Sequence, residues 1–295
     1  MNIKILIILS FFLLLSCSKT TNIKENTSKY DNNTKKDYEL FDSANKFIKK
    51  ENYNEAINEL EKIEIFFPNS SYSAKSKLIT SYLHFIQEDY EKTKAITENF
   101  IKYYPGNKDI IYAYYLDGMT DYVQINKPEY NQKNTIIAKN KFLFIKNAYP
   151  NNIYKQDIIL KLNILDNSLA NHLINIGKYY EKKENYEAAL NYYLDIFNKY
   201  EKTQFIEEAI YRIVTIYAKI DEKENAKKYA SILGYNYPNN KWYKKSYNLL
   251  KNITPEIKND KKWYEKLTTI KLLIQNKITK EKEWFEPIKP NFKLL

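Results

Sequence analysis

The chain has 295 residues, 47 Lys plus Arg against 36 Asp plus Glu, and a formal net charge of +11. A single cysteine excludes any intramolecular disulfide, so stability must come from packing. The basic balance does not mark a nucleic-acid or anionic-membrane binder: Arg212 is the only arginine, and the lysines alternate with glutamates instead of clustering. The surplus of Lys, Asn, Ile and Tyr reads as the codon bias of an AT-rich genome and a solvated mixed-charge surface.

Residues 1–16 have the form of a lipoprotein leader. Lys4 supplies the positive start, Ile5 to Leu15 the apolar run, and small Ser16 the space a signal peptidase needs before Cys17. The run is shorter than the roughly 20 residues that a bilayer-spanning helix requires. Cleavage between Ser16 and Cys17 would leave Cys17 to carry S-diacylglycerol and an N-acyl chain. This covalent lipid is the one prosthetic group expected; no other cofactor is. By resemblance to known lipoprotein sorting, in which an aspartate at this position suggests inner-membrane retention, Ser18 favours the outer membrane, with the body on its periplasmic face. Residues 17–36 are polar and almost free of large aliphatics, and read as a flexible tether. Such a tether spans at most about 65 Å, and about 24 Å on a root-mean-square basis.

From residue 37 a repeat appears. An aromatic-proline pair recurs at Phe67-Pro68, Tyr104-Pro105, Tyr149-Pro150 and Tyr237-Pro238, and a fifth copy has Tyr200-Glu201. A small residue precedes each pair at Ala56, Thr93, Ala138, Ala189 and Ala226. The residues around it repeat at three and four, as in Ala56, Ile57, Leu60 and Ile63, which makes one apolar helical stripe. Proline cannot continue a helix, so it marks the turn into the next unit, which Asn69, Asn151 and Asn239 suit. No strand-type alternation competes. The ruler resembles that of the tetratricopeptide repeat, a helix-turn-helix unit of about 34 residues, with the copies here longer. Ala44 and Gly177 take the first small position of that unit in the first and fourth copies.

The expected fold is therefore all-α: a superhelical solenoid of about five tetratricopeptide-like helix pairs over residues 37–250, at about 37–70, 71–107, 108–152, 153–202 and 203–240. The third copy carries a loop insertion from Ile125 to Asn134. The fourth opens on a long helical run, Tyr154 to Tyr180, with Ile158, Leu162, Leu165, Leu169, Ile176 and Tyr180 along one face. Residues 251–295 hold an extra C-terminal helix, roughly Glu256 to Ile278, and an extended tail with Trp284 and Phe285.

Sites for chemistry are absent from the sequence. His84 and His172 have no partner at metal-ligand spacing, and no nucleophile elbow or phosphate loop occurs. Acidic residues read as solvated charge on helix surfaces. No enzyme and no metal site is expected. The group Tyr235, Tyr237, Trp242 and Tyr243 is denser than a repeat core requires; a partner-facing surface and a plain cap are both open for it.

With leader, tether and repeats combined, residues 1 to about 250 resemble the BamD family, the repeat lipoproteins of the outer-membrane β-barrel assembly (BAM) machinery. The resemblance is densest from Leu169 to Ala189 and from Glu208 to Tyr243, and is closest to the α-proteobacterial form. It implies a non-catalytic scaffold that assists insertion of outer-membrane proteins. The implied partners are the POTRA domains of the barrel-forming subunit, other lipoproteins of the complex and unfolded outer-membrane substrates, with the membrane reached through the lipid and no nucleic acid. By the same resemblance Arg212, Tyr235, Tyr237, Trp242 and Tyr243 would lie near the partner contact; Arg212 could equally pair with a glutamate of its own repeat. A lipoprotein adaptor for a cell-wall enzyme or trans-envelope complex, and a peptide- or solute-binding lipoprotein, are the alternatives.

Overall fold

A computed structural model describes residues 35–253. Ser16, Cys17, nearly all of the tether, and the expected helix at 256–278 with its tail lie outside the described residues.

Among the described residues there are eleven α-helices and no strand. They are α1 (Asp37–Ile48), α2 (Tyr53–Phe66), α3 (Ser73–Ile86), α4 (Tyr90–Tyr103), α5 (Ile110–Val123), α6 (Lys133–Ala148), α7 (Lys155–Lys182), α8 (Tyr186–Lys199), α9 (Ile206–Lys219), α10 (Lys223–Asn236) and α11 (Lys241–Ile253). Each packs on its neighbours in sequence, while α3 with α5 and α9 with α11 also touch across the helix between them. This is the packing of a tetratricopeptide solenoid, in which each unit touches only adjacent units. Ala56, Thr93, Ala138, Ala189 and Ala226 are all 0% exposed, so the small position is where paired helices meet. α11 closes the far end: Tyr243, Ser246 and Leu250 turn inward, and the last two are fully buried.

Two turns recur. Where a pair closes, the chain passes through a left-handed residue: Glu51 (φ 59°), Glu88 (φ 61°), Glu184 (φ 59°) and Asp221 (φ 63°). The next amide reaches back to the last helical turn, as Asn52 N–H does to Phe47 O at 3.0 Å and Asp89 N–H to His84 O at 2.9 Å. This is a Schellman closure built without glycine. Where one pair leads to the next, the aromatic carbonyl accepts from the amide three residues on, at Ser70, Asn107, Asn152, Thr203 and Asn240. The side chains of Asn107, Asn152 and Asn240 then cap the amide two residues further, at 2.8, 2.7 and 2.8 Å. The working turn residue thus lies two positions after the proline, not one as at Asn69, Asn151 and Asn239. Tyr200-Glu201 makes the same turn without proline, because the backbone bond and the Thr203 hydroxyl bond to Tyr200 O (2.7 Å) suffice.

The third pair departs from this plan. Its helices are joined by the inserted loop between Val123 and Lys133, and no left-handed closure occurs there. α7 runs 28 residues unbroken. Its buried face is Ile158, Leu162, Leu165, Leu169, Ala170, Ile174 and Gly177, so the stripe passes through Ile174, and Ile176 is only half-buried. The reason is Tyr193: a Cβ at Gly177 would lie 2.4 Å from its ring, so the helix turns its smallest residue to that ring.

Candidate binding surfaces

Arg212 sits in the second turn of α9, at the junction of the fourth and fifth pairs. Its Nε and Nη2 donate to Glu208 Oε1 at 2.9 and 2.8 Å, and Nη1 donates to Glu181 Oε2 on α7 at 2.8 Å. Glu208 also takes Lys178 at 2.8 Å, and Glu181 accepts from the Tyr193 hydroxyl at 2.9 Å. Burial pulls the guanidinium pKa down, but the bonds to Glu208 and Glu181 raise it on balance. Burial pushes the Glu208 carboxyl up, yet Lys178 and Arg212 hold it below its ordinary value. Arg212 therefore pairs with the glutamate of its own repeat and also with one from the repeat before, and staples α7 to α9. With a side chain 22% exposed, it acts through that staple.

The aromatic group divides. Tyr243 is 7% exposed and packs inside the last unit, and Tyr237 lies half-buried against the same core. Tyr235 is 49% exposed. Trp242 lies half-buried with its ring 5.0 Å from that of Tyr211. Lys245 Nζ lies 4.7 Å from the Trp242 centroid and Lys241 Nζ 5.1 Å from it. Asn240 fixes the entry to α11 by donating to Glu207 of α9.

The sequence missed three features. First, not all acids are solvated: Asp117 and Asp121 are 7% and 6% exposed, and both grip Lys141 of α6, at 2.8 and 2.6 Å. Burial pushes the Asp117 carboxyl above its ordinary value, against the pull of Lys141. The i,i+4 spacing of the acids was visible, but nothing linked them to a lysine beyond the insertion. Glu59, 7% exposed and held by Lys35 and Lys62 at 2.8 and 2.6 Å, is a third such acid. Second, the inserted loop is pinned. Gln132 donates to the carbonyls of Lys127 and Tyr130, and His172 Nδ1 meets Pro128 O at 2.6 Å. A carbonyl only accepts, so that nitrogen carries the proton. Third, Tyr115 stacks on Tyr154 at 4.3 Å and donates to Asp157 at 2.6 Å, beside Lys161 and Tyr122.

Beside the pinned loop lies a cleft of about 540 Å³ lined by Ile136, Leu169, His172, Leu173 and Tyr200, among others. Among the described residues no cluster of His, Cys, Asp and Glu could hold a metal ion, and no helix is long and apolar enough to cross a membrane.

Residues 33–233 match the family model YfiO, described as outer membrane lipoprotein. The chain is 35% identical over 213 residues to the outer membrane protein assembly factor BamD of Rickettsia prowazekii, covering 72% of this chain and 85% of that one. To the same factor of Caulobacter vibrioides it is 31% identical over 199 residues, covering 68% and 65%. To that of Pasteurella multocida it is 25% identical over 240 residues, covering 78% and 89%. Among solved structures, the tetratricopeptide domain of P58(IPK) is similar at 12% identity and a TM-score of 0.37, over 85% of this chain and 67% of that chain.

Proposed function

The chain belongs to the YfiO family of outer membrane lipoproteins, and from that premise we propose that it is a non-catalytic scaffold subunit of the outer-membrane β-barrel assembly complex. The observation that carries this reading is one of extent: the match runs over residues 33–233, from the first helix pair into the fifth, and the relatives bear the name of an assembly factor. A stack of helix pairs offers long helix faces for peptides and partner domains and needs no catalytic centre.

The reading extends to attachment and partners. Cys17 carries the lipid, after cleavage behind Ser16, and tethers the solenoid to the periplasmic face of the outer membrane. Three acyl chains at about 0.8 kcal/mol per buried CH₂ hold it there without exchange. The POTRA domains of the barrel-forming subunit bind near the fifth pair, and unfolded outer-membrane proteins and smaller lipoproteins use the remaining faces. Tethering raises the local concentration of scaffold beside those partners.

Depletion of the protein tests the function. Levels of folded outer-membrane barrels are expected to fall together; unchanged levels would remove the assembly role. Cys17→Ala tests the anchor: a larger, unlabelled precursor is expected after feeding radioactive fatty acid.

A further inference from the structure

The insertion of the third pair makes one wall of the 540 Å³ cleft, and that wall is fixed. Gln132, 5% exposed, commits its whole amide to it. Nε2 donates to the carbonyls of Lys127 and Tyr130 at 2.9 and 3.0 Å, and Oε1 accepts from the Thr135 and Ser168 hydroxyls at 2.8 and 3.3 Å. Asn131 Oδ1 accepts from the Lys133 amide at 2.7 Å, and His172 fastens Pro128. These polar groups are bonded internally, so the cleft offers a ligand chiefly its apolar floor: Ile136, Leu169 and Leu173 beside Tyr200. Ile136 is left 49% exposed there. The volume falls in the roughly 300–1,000 Å³ range of ligand-binding clefts, and a rim that is already ordered lowers the cost of binding. The charged lining is Lys133 and Lys199 against Asp195, positive on balance.

We propose that this cleft seats a segment of the chain's own C-terminal extension, Glu281 to Ile288, with Trp284, Phe285 and Ile288 on the apolar floor and Glu286 at Lys133. Charge selects the segment. Residues 254–295 hold ten lysines and six acids, yet Glu281 to Ile288 hold three of those acids and one of those lysines. The aromatic pair stands between Glu283 and Glu286, so an apolar anchor carries its own acidic flanks to a floor edged by lysines. Pro287 disfavours a helix there, which suits a strip of chain laid into a cleft. Reach is sufficient. The near wall, Asp195 to Tyr200 of α8, is two helix contacts from α11 by way of α9, or about 20 Å at the usual axis spacing. Residues 254–280 span about 40 Å even if wholly helical. Attachment in the same chain raises the local concentration of the segment, so it acts as a built-in competitor that any outside segment must displace. The proposal is independent of the scaffold reading.

The test uses the full lipoprotein in detergent, with a photo-crosslinking amino acid in place of Asn140, which is exposed one turn past Ile136. Crosslinks are expected within one chain, to residues 281–288. A labelled synthetic peptide of residues 280–289 should enter the cleft of the Trp284→Ser/Phe285→Ser chain at a concentration at least about tenfold lower than it needs in the parent. Lys133→Glu in that chain should weaken the peptide about fivefold, and a peptide with Glu286→Lys should recover the loss. The melting of Lys133→Glu should match the parent, since Lys133 is exposed. If parent and tail variant take up the peptide equally, the chain does not fill its own cleft. If neither takes it up, the cleft does not read this segment. Crosslinks to another envelope protein, to lipid or to a second copy, in place of residues 281–288, overturn the proposal as well. Failure of the charge exchange would show that Glu286 does not sit at Lys133 and would overturn the seating.

Discussion

The C-terminal half of the solenoid and its second pair are built to the same plan and filled differently. From Ala170 to Leu250 one continuous apolar core joins the fourth pair, the fifth pair and α11, with Tyr193, Ile196, Ile213 and Leu233 all 0% exposed. Between Ser73 and Thr97 the corresponding interior is lined by hydroxyls: Ser76, Thr80, Ser81, Thr93 and Thr97 are 0–1% exposed. Ser81, Thr93 and Thr97 return their protons to their own helix, at 2.8, 2.9 and 2.9 Å. Ser76 and Thr80 find no hydrogen-bond partner among the described residues. In a solenoid, stability is a sum of units and nearest-neighbour interfaces. A unit that buries unpaired hydroxyls opens at lower free energy than one that buries Ile and Tyr. The same helix-pair geometry thus gives a firm C-terminal half and a softer second pair.

The firm half breaks most easily at its tightest point. Gly177→Ala puts a Cβ 2.4 Å from Tyr193 Cε1, and Tyr193 cannot swing away while Glu181 holds its hydroxyl and Arg212 covers its ring. A loss of about 3 kcal/mol is expected in chemical denaturation. Next is the staple. Arg212→Ala leaves Glu181 and Glu208 half-buried without their fork, with a loss of about 2 kcal/mol. Arg212→Lys should restore only part, because one ammonium cannot hold two carboxylates in that geometry. Equal stability of the Ala variant and the parent would refute the staple.

The soft pair should respond in the other direction. Thr80→Val removes an unpaired buried hydroxyl at nearly constant volume, and a gain of about 1 kcal/mol is expected. Amide exchange in α3 should slow with it, which would narrow the contrast between the halves. Glu88→Gly relieves a left-handed backbone at φ 61°, and should add about 0.5–1 kcal/mol, offset in part by a more flexible unfolded chain.

These sites also mark where the sequence could be read and where it could not. The small positions and the aromatic turns were legible because helix pairing imposes them at fixed spacing, whatever else varies. The length of α7 was legible because nothing in it breaks a helix. The left-handed closures were not, since Glu and Asp replace the glycine that announces them. The slip from Ile176 to Ile174 was not, because it follows from one ring on the next helix. Arg212 was placed on the right helix, but its bond to Glu181 spans 31 positions and no local pattern shows it. Lys141 with Asp117, and Lys245 over Tyr211, fail for the same reason: distant pairings are set by packing, and local spacing carries no trace of them.

The smallest expected effect separates the halves by pH. His84, 8% exposed in the soft pair, faces Asp89 at 3.7 Å, with Lys92 and Glu61 also acting on it. Burial and Lys92 push its pKa below the ordinary 6.5, and Asp89 and Glu61 recover only part of the shift. A base with a depressed folded pKa favours the unfolded state once protonated, so its contribution is intact above the unfolded pKa and lost as pH falls through the folded one. Acidification from about pH 7.5 to about pH 5 should therefore lower the amide protection factors of α3, taken against the intrinsic exchange rate at each pH, before it touches those of α9, where the core around Ile213 has no histidine. His84→Gln should flatten that difference. If α3 exchange keeps its pH response in the variant, the imidazole is not its source, and the softness of the second pair rests on its hydroxyls alone.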